Sequence, residues 1–262
     1  MTTYDTVELE VSSNNVATVW LNRPDKNNAF NAQMIGELIA VFRELRDDPR
    51  VRFMVLRGQG KHFSAGADLS WMQASAALDY EANLQDAHEL GELMSLLHNL
   101  PFPTLAAVHG AAFGGAVGLI SCCDIAVGTP DAIFSLSEVR IGLVPAVISP
   151  YVVKAIGQRA ARRYALTAER FSGVCAQTIG LLAEIYEAGE LDGAVELLTA
   201  TLLQNSPQAM RVSKSLLEQV GNGVLSPELR RITEETIATV RVSEEGQEGL
   251  NAFLQKRKPS WV

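Results

Sequence analysis

The sequence is poor in cysteine and has no excess of basic residues, and each shortage excludes a class of protein. Its 262 residues contain three cysteines, Cys122, Cys123 and Cys175, an odd number without the spacing of a disulfide framework or a CxxC metal site. Lysine and arginine total 22 against 30 acidic residues, so the formal net charge is −8. A nucleic-acid-binding surface needs a basic face. We therefore expect a reducing compartment, no metal and no nucleic acid partner.

The chain also lacks long apolar runs. No stretch approaches the ~18 consecutive apolar residues of a membrane-spanning helix, and the N-terminal MTTYDTVELE lacks the apolar core of a signal peptide. Hydrophobic residues nevertheless make up 47% of the chain and charged residues 20%, which is typical of globular proteins and sufficient for a large core. The sequence thus predicts a cytoplasmic globular protein without a membrane partner, in one large domain or two small ones.

Short strands alternate with helices over roughly the first two thirds of the chain. Periodicity and β-branched content predict strands over 7–11, 16–21, 51–56, 104–108 and 124–127. Asn31 is placed to cap the helix that follows the first hairpin, because its side chain can accept a hydrogen bond from a first-turn amide. From about Ala160 onward, helical patterns dominate. This order predicts an α/β fold with a mainly helical C-terminal region.

Two loops made of small residues each join a strand to a helix. The first is Ser64-Ala65-Gly66-Ala67-Asp68, and the second runs from His109 to Gly115. Small residues let a ligand approach the backbone closely, and the free N–H groups at a helix start favour negative charge. Two such donors directed at one oxygen form an oxyanion hole. Taken singly, however, glycines in such loops more often serve turns and packing.

Four segments resemble the motifs of the crotonase, or enoyl-CoA hydratase/isomerase, superfamily, and they occur in that family's order. They are LNRPDKNNAFN, HFSAGADLSWM, HGAAFGGAVGLISCCDIAV and FSLSEVRIGLVP. The resemblance runs from about Thr6 to Trp261. It implies a crotonase-like spiral of stacked ββα units over residues 1–195, carrying the coenzyme A and catalytic site. A C-terminal helical oligomerisation region over 196–262 would follow.

The same resemblance implies roles for three groups around a thioester. The backbone N–H groups of Ala67 and Gly115 would hold the thioester oxygen as it gains negative charge, and Glu138 would be the acid/base. Coenzyme A would enter as part of the substrate, with no permanently bound cofactor, against the loops 22–29 and 65–68. The residues implied for these contacts are Lys26, Ala29, Ala65, Gly66, Asp68 and Gly114.

Two features of the fourth and third motifs leave alternatives open. Ser135 and Glu138 also form an S-x-x-E pair, the pattern of a helix capping box. Gly118 departs from the family's two-carboxylate hydratases, which have a glutamate there, so Glu138 remains as the single acid/base. Two activities fit a single glutamate: hydration with a modified site, and Δ3,Δ2-enoyl-CoA isomerisation, in which Glu138 moves a proton between C2 and C4.

A closer resemblance favours hydration. SCCDIAVG and LSEVRIGLVPAVISPYVVKAIGQRAARRYALTAERF resemble bacterial hydratases of leucine and acyclic-terpene breakdown, which act on 3-methylglutaconyl-CoA or isohexenylglutaconyl-CoA. We expect a branched enoyl-CoA hydratase, with an isomerase and a non-catalytic acyl-CoA-binding protein as alternatives. Arg140 is a candidate for the distal carboxylate only by its charge, and a surface salt bridge is the commoner role. The resemblance also implies a homotrimer or a dimer of trimers, in which 256–258 could reach a neighbouring subunit's phosphates.

Overall fold

The computed structural model describes residues 4–262, and the chain divides into two compact units. The first unit contains the residues up to Leu100 together with Thr104–Asp192, and the second contains Pro101–Pro103 and Gly193–Val262. Every strand of the described chain lies in the first unit, whereas the second unit is helical. The predicted α/β class is therefore confirmed. The assignment of 1–195 to catalysis and of 196–262 to oligomerisation stays a prediction.

The five predicted strands occur in the predicted order, and four short strands that the sequence did not predict are added, two of them beyond residue 160. The strands are β1 (Val7–Val11), β2 (Val16–Leu21), β3 (Phe53–Gly58), β4 (Thr104–Val108), β5 (Ala111–Phe113), β6 (Ile125–Gly128), β7 (Ile133–Ser135), β8 (Phe171–Ser172) and β9 (Glu184–Ile185). The helices are α1 (Ala32–Asp47), α2 (Leu69–Ser75), α3 (Tyr80–His98), α4 (Gly115–Cys122), α5 (Ser149–Thr167), α6 (Gly173–Thr178), α7 (Leu191–Leu203), α8 (Pro207–Asn222), α9 (Pro227–Val242) and α10 (Glu244–Leu254). The third strand begins at Phe53 rather than at the expected Val51.

The main sheet of the first unit has six strands in the order β1-β2-β3-β4-β6-β9. β1 and β2 form the expected antiparallel hairpin, with Val7 opposite Leu21. All the other neighbours in this sheet are parallel. Parallel strands need long crossover connections, which here contain the helices. The carboxyl ends of β3 and β4 are consequently at one edge of the sheet, where both small-residue loops begin.

Helix α1 illustrates how the sequence sets an element and its packing. The Asn31 side chain accepts a hydrogen bond from the Met34 N–H at 2.9 Å, so the predicted N-cap is confirmed. Apolar residues recur at helical spacing along one face, and that face is buried. The burial of β4 also follows from its sequence. This strand is mostly apolar and is buried along its whole length, as expected for a parallel strand covered on both faces.

A small second sheet positions the site. Its order is β5-β7-β8, with β5 and β7 parallel. An isolated parallel bridge between Ser64 and Ala112 joins the first small-residue loop to this sheet, and a second bridge joins Phe30 to Ala67. The loop 64–68 is therefore paired on both sides by backbone hydrogen bonds.

The second unit contains helices α8, α9 and α10, whose starts are fixed by serine caps. The side chains of Ser206, Ser226 and Ser243 each accept a hydrogen bond from an amide in the first turn. Proline follows the cap in α8 and α9, where its missing N–H costs nothing. Among the described residues, none of the helices combines the length and the apolar character needed to cross a membrane.

A reciprocal pair of hydrogen bonds joins the starts of β4 and β6. The Thr104 hydroxyl donates to Asp124 Oδ2 and accepts from the Asp124 N–H, both at 3.0 Å. The Thr104 N–H also donates to Asp124 Oδ2, at 2.8 Å. Thr104 is buried, so these groups have little access to water. The pair fixes the register at which the two central strands begin.

Thr104→Val should therefore lower the stability of the first unit. The substitution keeps the shape but removes the hydroxyl that donates to the Asp124 carboxylate and accepts from the Asp124 N–H, and the loss of these two hydrogen bonds costs about 1–3 kcal/mol of unfolding free energy. Urea denaturation followed by circular dichroism measures the change. Thr178→Val is the matched control, because the Thr178 hydroxyl is exposed and bonds only to the Val174 carbonyl of its own helix. Equal stabilities of the two variants would contradict the role of Thr104.

Candidate active site

The first unit contains a cavity of ≈ 810 Å³, within the range typical of ligand-binding sites. Both small-residue loops open onto it, and the segment around Glu138 also lines it. Its lining is largely apolar and small. The lining residues are Ala65, Gly66, Ala67, Trp71, Met72, Ser75, Ala76, Asn83, Asp86, Ala87, Leu90, Phe113, Gly114, Gly115, Ser137, Glu138, Ile141, Leu143 and Val147.

The first loop presents the backbone of Ala67 to this cavity. In the bridge between Phe30 and Ala67, the Phe30 N–H donates to the Gly66 carbonyl at 2.7 Å, and the Phe30 carbonyl accepts from the Asp68 N–H at 2.8 Å. Peptide groups alternate in direction along an extended chain, so the Ala67 N–H is turned away from Phe30. Within residues 4–262 that N–H has no acceptor.

The second loop presents the N–H of Gly115 in the same way. Gly114 has φ 53° and ψ −118°, a conformation that only glycine adopts readily. Its N–H donates to the Ser135 carbonyl at 2.9 Å, which anchors the turn to the small sheet. Gly115 is then the first residue of α4, where the amides point out of the helix without partners. In the described chain its N–H has no acceptor either.

Glu138 lies directly beside this second loop. A β-carbon placed on Gly114 would lie only 3.1 Å from Glu138 Oε1, so the carboxylate packs against the glycine backbone. Glu138 Oε2 is buried and has no hydrogen-bond partner among the described residues. Desolvation raises the pKa of Glu138 above its ordinary value, because burial disfavours the charged form. A carboxylate whose pKa is raised by burial holds a proton more readily than an exposed one, which suits it to act as a general acid and base.

The capping-box interpretation of Glu138 is wrong. Ser135 belongs to β7, and its hydroxyl donates to the Ala168 carbonyl at 3.2 Å instead of capping a helix. Glu138 begins a short 3₁₀ helix, Glu138–Ile141, whose N-cap Ser137 makes no side-chain capping bond. The carboxylate is therefore not used by the local fold.

Phe30 holds the two loops in their relative positions, although no pattern in the sequence singles it out. Its backbone pairs with the first loop, as described above. Its ring packs against the second, since a β-carbon on Gly115 would lie 3.3 Å from Phe30 Cε2. The two loops also touch directly, because a β-carbon on Gly66, which has φ +91°, would lie 3.1 Å from the Phe113 carbonyl oxygen. Ala67, Gly115 and Glu138 thus line one cavity, as the sequence predicted.

The space beside Gly118 is filled by apolar side chains. A β-carbon on Gly118 would lie 2.8 Å from Ile148 Cβ and 3.2 Å from Met94 Cε. Gly118 is buried in α4 and is not part of the cavity lining. At this position, where the family resemblance implied a glutamate in two-carboxylate hydratases, the chain has no room for even a methyl group. The site therefore has a single carboxylate at the end of the cavity formed by the two loops.

The residues expected to contact coenzyme A divide into two groups. Ala65, Gly66 and Gly114 line the cavity, whereas Lys26, Ala29 and Asp68 do not. Lys26 lies at the end of a short 3₁₀ helix, Pro24–Lys26, on the exposed surface. Ala29 is buried, and its carbonyl accepts a hydrogen bond from the Arg23 guanidinium.

Asp68 is committed to the protein's own structure. Its carboxylate caps α2 through the Ser70 N–H at 2.9 Å and pairs with Arg23 at 3.0 Å. Hydrogen bonding, first from the Ser70 hydroxyl and also from Arg23, lowers the pKa of Asp68 to about 2. The side chain therefore anchors the first loop. The Asp68 backbone is also engaged, because its N–H donates to the Phe30 carbonyl and its carbonyl accepts from the Met72 N–H.

Arg140 does not line the cavity. Its guanidinium donates to the Ala168 carbonyl at 2.8 Å, and none of the described ion pairs includes it. The expected surface salt bridge is thus replaced by a bond to the backbone. Arg140 is not placed to meet an acyl group.

One wall of the cavity was missed by sequence reasoning. Four residues of α3, Asn83, Asp86, Ala87 and Leu90, line the cavity together with residues of α2. Their spacing of three, four and seven residues puts them on one helix face. That spacing was the available signal, but polar residues on a helix more often mark a solvated face.

Comparison with known proteins identifies the family to which this arrangement belongs. The model of the enoyl-CoA hydratase/isomerase family matches residues 11–262. The chain is 32% identical over 246 residues to enoyl-CoA hydratase AKT6-1 of Alternaria alternata, covering 92% of this chain and 78% of that protein. The chain belongs to the enoyl-CoA hydratase/isomerase family.

Solved structures agree on the fold. An enoyl-CoA hydratase from Shewanella pealeana is 49% identical and superposes with a TM-score of 0.94, covering 98% of this chain and 96% of that one. AtuE of Pseudomonas aeruginosa is 38% identical with a TM-score of 0.94, covering 98% and 99%. The predicted crotonase-like α/β fold is confirmed.

The Gly115 amide should be sensitive to added bulk nearby. In Gly115→Val the new side chain meets the Phe30 ring and displaces the amide, so we expect kcat on an enoyl-CoA to fall about 100-fold or more, the cost of one lost oxyanion donor. Steady-state kinetics measures the loss, and thermal unfolding checks the fold. Gly36→Val is the control, since a β-carbon at Gly36 meets nothing within 4 Å. Full activity of Gly115→Val would refute the role of this amide.

Proposed function

We propose that the protein adds water across the 2,3-double bond of a branched enoyl-CoA through a thioester enolate. One observation carries this proposal: a buried carboxylate oxygen and two backbone N–H groups, all without partners in the described part of the chain, line a single cavity. Such donors stabilise the negative charge that develops on the thioester oxygen, and they do so without titrating. Membership of the enoyl-CoA hydratase/isomerase family gives the proposal independent support.

The chemistry divides between these groups. The Glu138 carboxylate takes a proton from water, and the water oxygen forms a bond to C3. The electron pair of the double bond moves towards the thioester oxygen, which accepts hydrogen bonds from the Ala67 and Gly115 N–H groups. Glu138 then returns the proton to C2, so that the carboxylate is regenerated. A raised pKa supports both halves of this cycle, because it makes proton uptake and release closer in energy.

The branched acyl group is proposed from the closer sequence resemblance. 3-Methylglutaconyl-CoA and isohexenylglutaconyl-CoA are the charged members of this substrate class, and 3-methylcrotonyl-CoA is an uncharged one. The size of the cavity supports room for a branch at C3. The absence of a carboxylate at Gly118, where Ile148 and Met94 fill the space, also supports a site unlike that of two-carboxylate hydratases.

Incubation in heavy-oxygen water distinguishes hydration from the alternatives. We expect the 3-hydroxyacyl-CoA product from at least one branched 2-enoyl-CoA to carry the label, as measured by mass spectrometry. A 3-enoyl-CoA that becomes a 2-enoyl-CoA without incorporating label would instead support the Δ3,Δ2-isomerase. Tight acyl-CoA binding with no turnover of any enoyl-CoA would support a non-catalytic binding protein.

Glu138→Gln should abolish turnover while leaving acyl-CoA binding intact. Loss of a general acid/base costs about 10²–10⁴ in kcat. The carboxylate form of Glu138 takes the proton from water, so kcat/KM of the wild type should fall when acidification protonates Glu138. Because burial raises the pKa of Glu138, this fall should be centred above pH 4.5, the ordinary pKa of a glutamate. A pH–rate profile measures this limb. Glu187→Gln, at an exposed position, should leave both rate and profile unchanged.

We also propose that the chain assembles as a homotrimer or a dimer of trimers. Large apolar side chains are exposed in the second unit, among them Leu217, Val224, Leu225, Val242, Phe253 and Leu254. Large apolar side chains left exposed support a protein partner, and a second copy of the chain is the partner that the family resemblance implies. Multi-angle light scattering of the purified protein tests this assembly.

A further inference from the structure

The wall of the cavity formed by α2 and α3 carries polar side chains that the proposed hydration does not use. It contains Ser75, Asn83 and Asp86, which are the polar side chains of the lining besides Ser137, Glu138 and the neighbouring Trp71. The roles proposed for the two loops and for Glu138 do not account for the half-buried Asp86 in the lining of the cavity.

The position of Asp86 separates it from the reacting atoms. Met94, on the same helix, touches the space beside Gly118 near the start of α4. Asp86 precedes Met94 by eight residues, which corresponds to about 12 Å along a helix that rises 1.5 Å per residue. Asp86 therefore does not replace the missing carboxylate at Gly118. It lines the wall formed by α2 and α3, which is the wall left for the acyl chain when the two loops and Glu138 hold the thioester.

The hydrogen bonds of this wall leave mainly acceptors for a ligand. The Ser75 hydroxyl donates to Asp86 Oδ2 at 3.3 Å, and Asp86 Oδ1 has no partner within residues 4–262. Asn83 Nδ2 donates to the carbonyls of Leu78 and Asp79, at 3.1 and 2.9 Å, which leaves its carbonyl oxygen. The indole N–H of Trp71 is a donor but carries no charge.

The cavity also lacks positive charge. Among the described lining residues there is no lysine, arginine or histidine, whereas Asp86 and Glu138 are both acidic. A distal carboxylate on the acyl group would lose hydration without gaining a cation, and it would be repelled by Asp86. An amide or hydroxyl group would instead donate a hydrogen bond to Asp86 Oδ1 or to the Asn83 carbonyl oxygen.

We infer that Asp86 is a specificity-determining residue, which selects acyl chains ending in a neutral hydrogen-bond donor over those ending in a carboxylate. This inference rests on the proposed function, since it takes the cavity to hold the acyl group. Within the branched substrates it favours uncharged chains over the glutaconyl type. Asp86 acts through charge and hydrogen bonding to the distal group, and it takes no part in proton transfer.

Binding of two saturated, unreactive thioesters tests the inference apart from catalysis. Glutaryl-CoA ends in a carboxylate, and its primary amide, glutaramoyl-CoA, has nearly the same shape. We expect the wild type to bind the amide about tenfold tighter, a difference of about 1.4 kcal/mol, as measured by isothermal titration calorimetry. Equal affinities, or tighter binding of glutaryl-CoA, would overturn the inference.

Asp86→Asn removes the charge without changing the shape of the side chain. We expect the affinity ratio to fall about threefold or more from that of the wild type, mainly because repulsion of the carboxylate is lost. Glu89→Gln is the matched control, because Glu89 lies on the same helix but outside the cavity lining and should keep the wild-type ratio. A wild-type ratio in Asp86→Asn, with its fold verified by circular dichroism, would overturn the role of Asp86.

Failure of the proposed function gives a different result from failure of this inference. If no enoyl-CoA is hydrated but the amide still binds tighter and Asp86→Asn abolishes the preference, the selection stands and hydration falls. If hydration occurs but the two thioesters bind equally, the selection falls alone. If neither thioester binds, the cavity is not an acyl site and both proposals are overturned.

Discussion

The alternation of peptide groups along extended chain is the constraint on which the whole site depends. The loop 64–68 is bonded on one side to Phe30 and on the other to Ala112, each through a single parallel bridge. Because the residues flanking Ala67 are used by Phe30, the Ala67 amide has to face the opposite direction, into the cavity. The backbone hydrogen bonds set this orientation, and side chains do not. The main sheet brings the two loops together because β3 and β4 end at a common edge. The small sheet holds the second loop in place.

The site combines uncharged backbone hydrogen-bond donors with a partly buried carboxylate. The donors facing the proposed thioester are backbone amides, one of them at the first residue of α4, where helix geometry leaves it unpaired. The nearby carboxylate of Glu138 is half-buried and has an oxygen without a partner, so its raised pKa follows from the fold and not from a neighbouring charge. Asp68 behaves in the opposite way, because hydrogen bonds and Arg23 hold it ionised. The two carboxylates, one within the first loop and the other packed against the second, thus have separate uses, one structural and one chemical.

Local patterns explain what the sequence predicted well. Strand alternation, the Asn31 cap and the small-residue loops each depend on a few neighbouring residues, and the order of motifs placed Ala67, Gly115 and Glu138 together. What escaped prediction depends on contacts between distant segments. Phe30 supports the site through pairing and ring packing that no local pattern encodes, and Asp86 looked like part of a solvated helix face. The S-x-x-E pair does not form a capping box because Ser135 belongs to β7, where it pairs with another strand of the small sheet.

The packing beside Gly118 has an evolutionary consequence. Ile148 occupies the volume into which any larger residue at 118 would grow, so a glutamate cannot appear there by one substitution without a steric clash. Ile148 must first give way to a smaller side chain, and that change alone leaves a void in a buried region. Positions 118 and 148 are therefore coupled, and a larger residue at position 118 is accommodated only together with a smaller one at position 148.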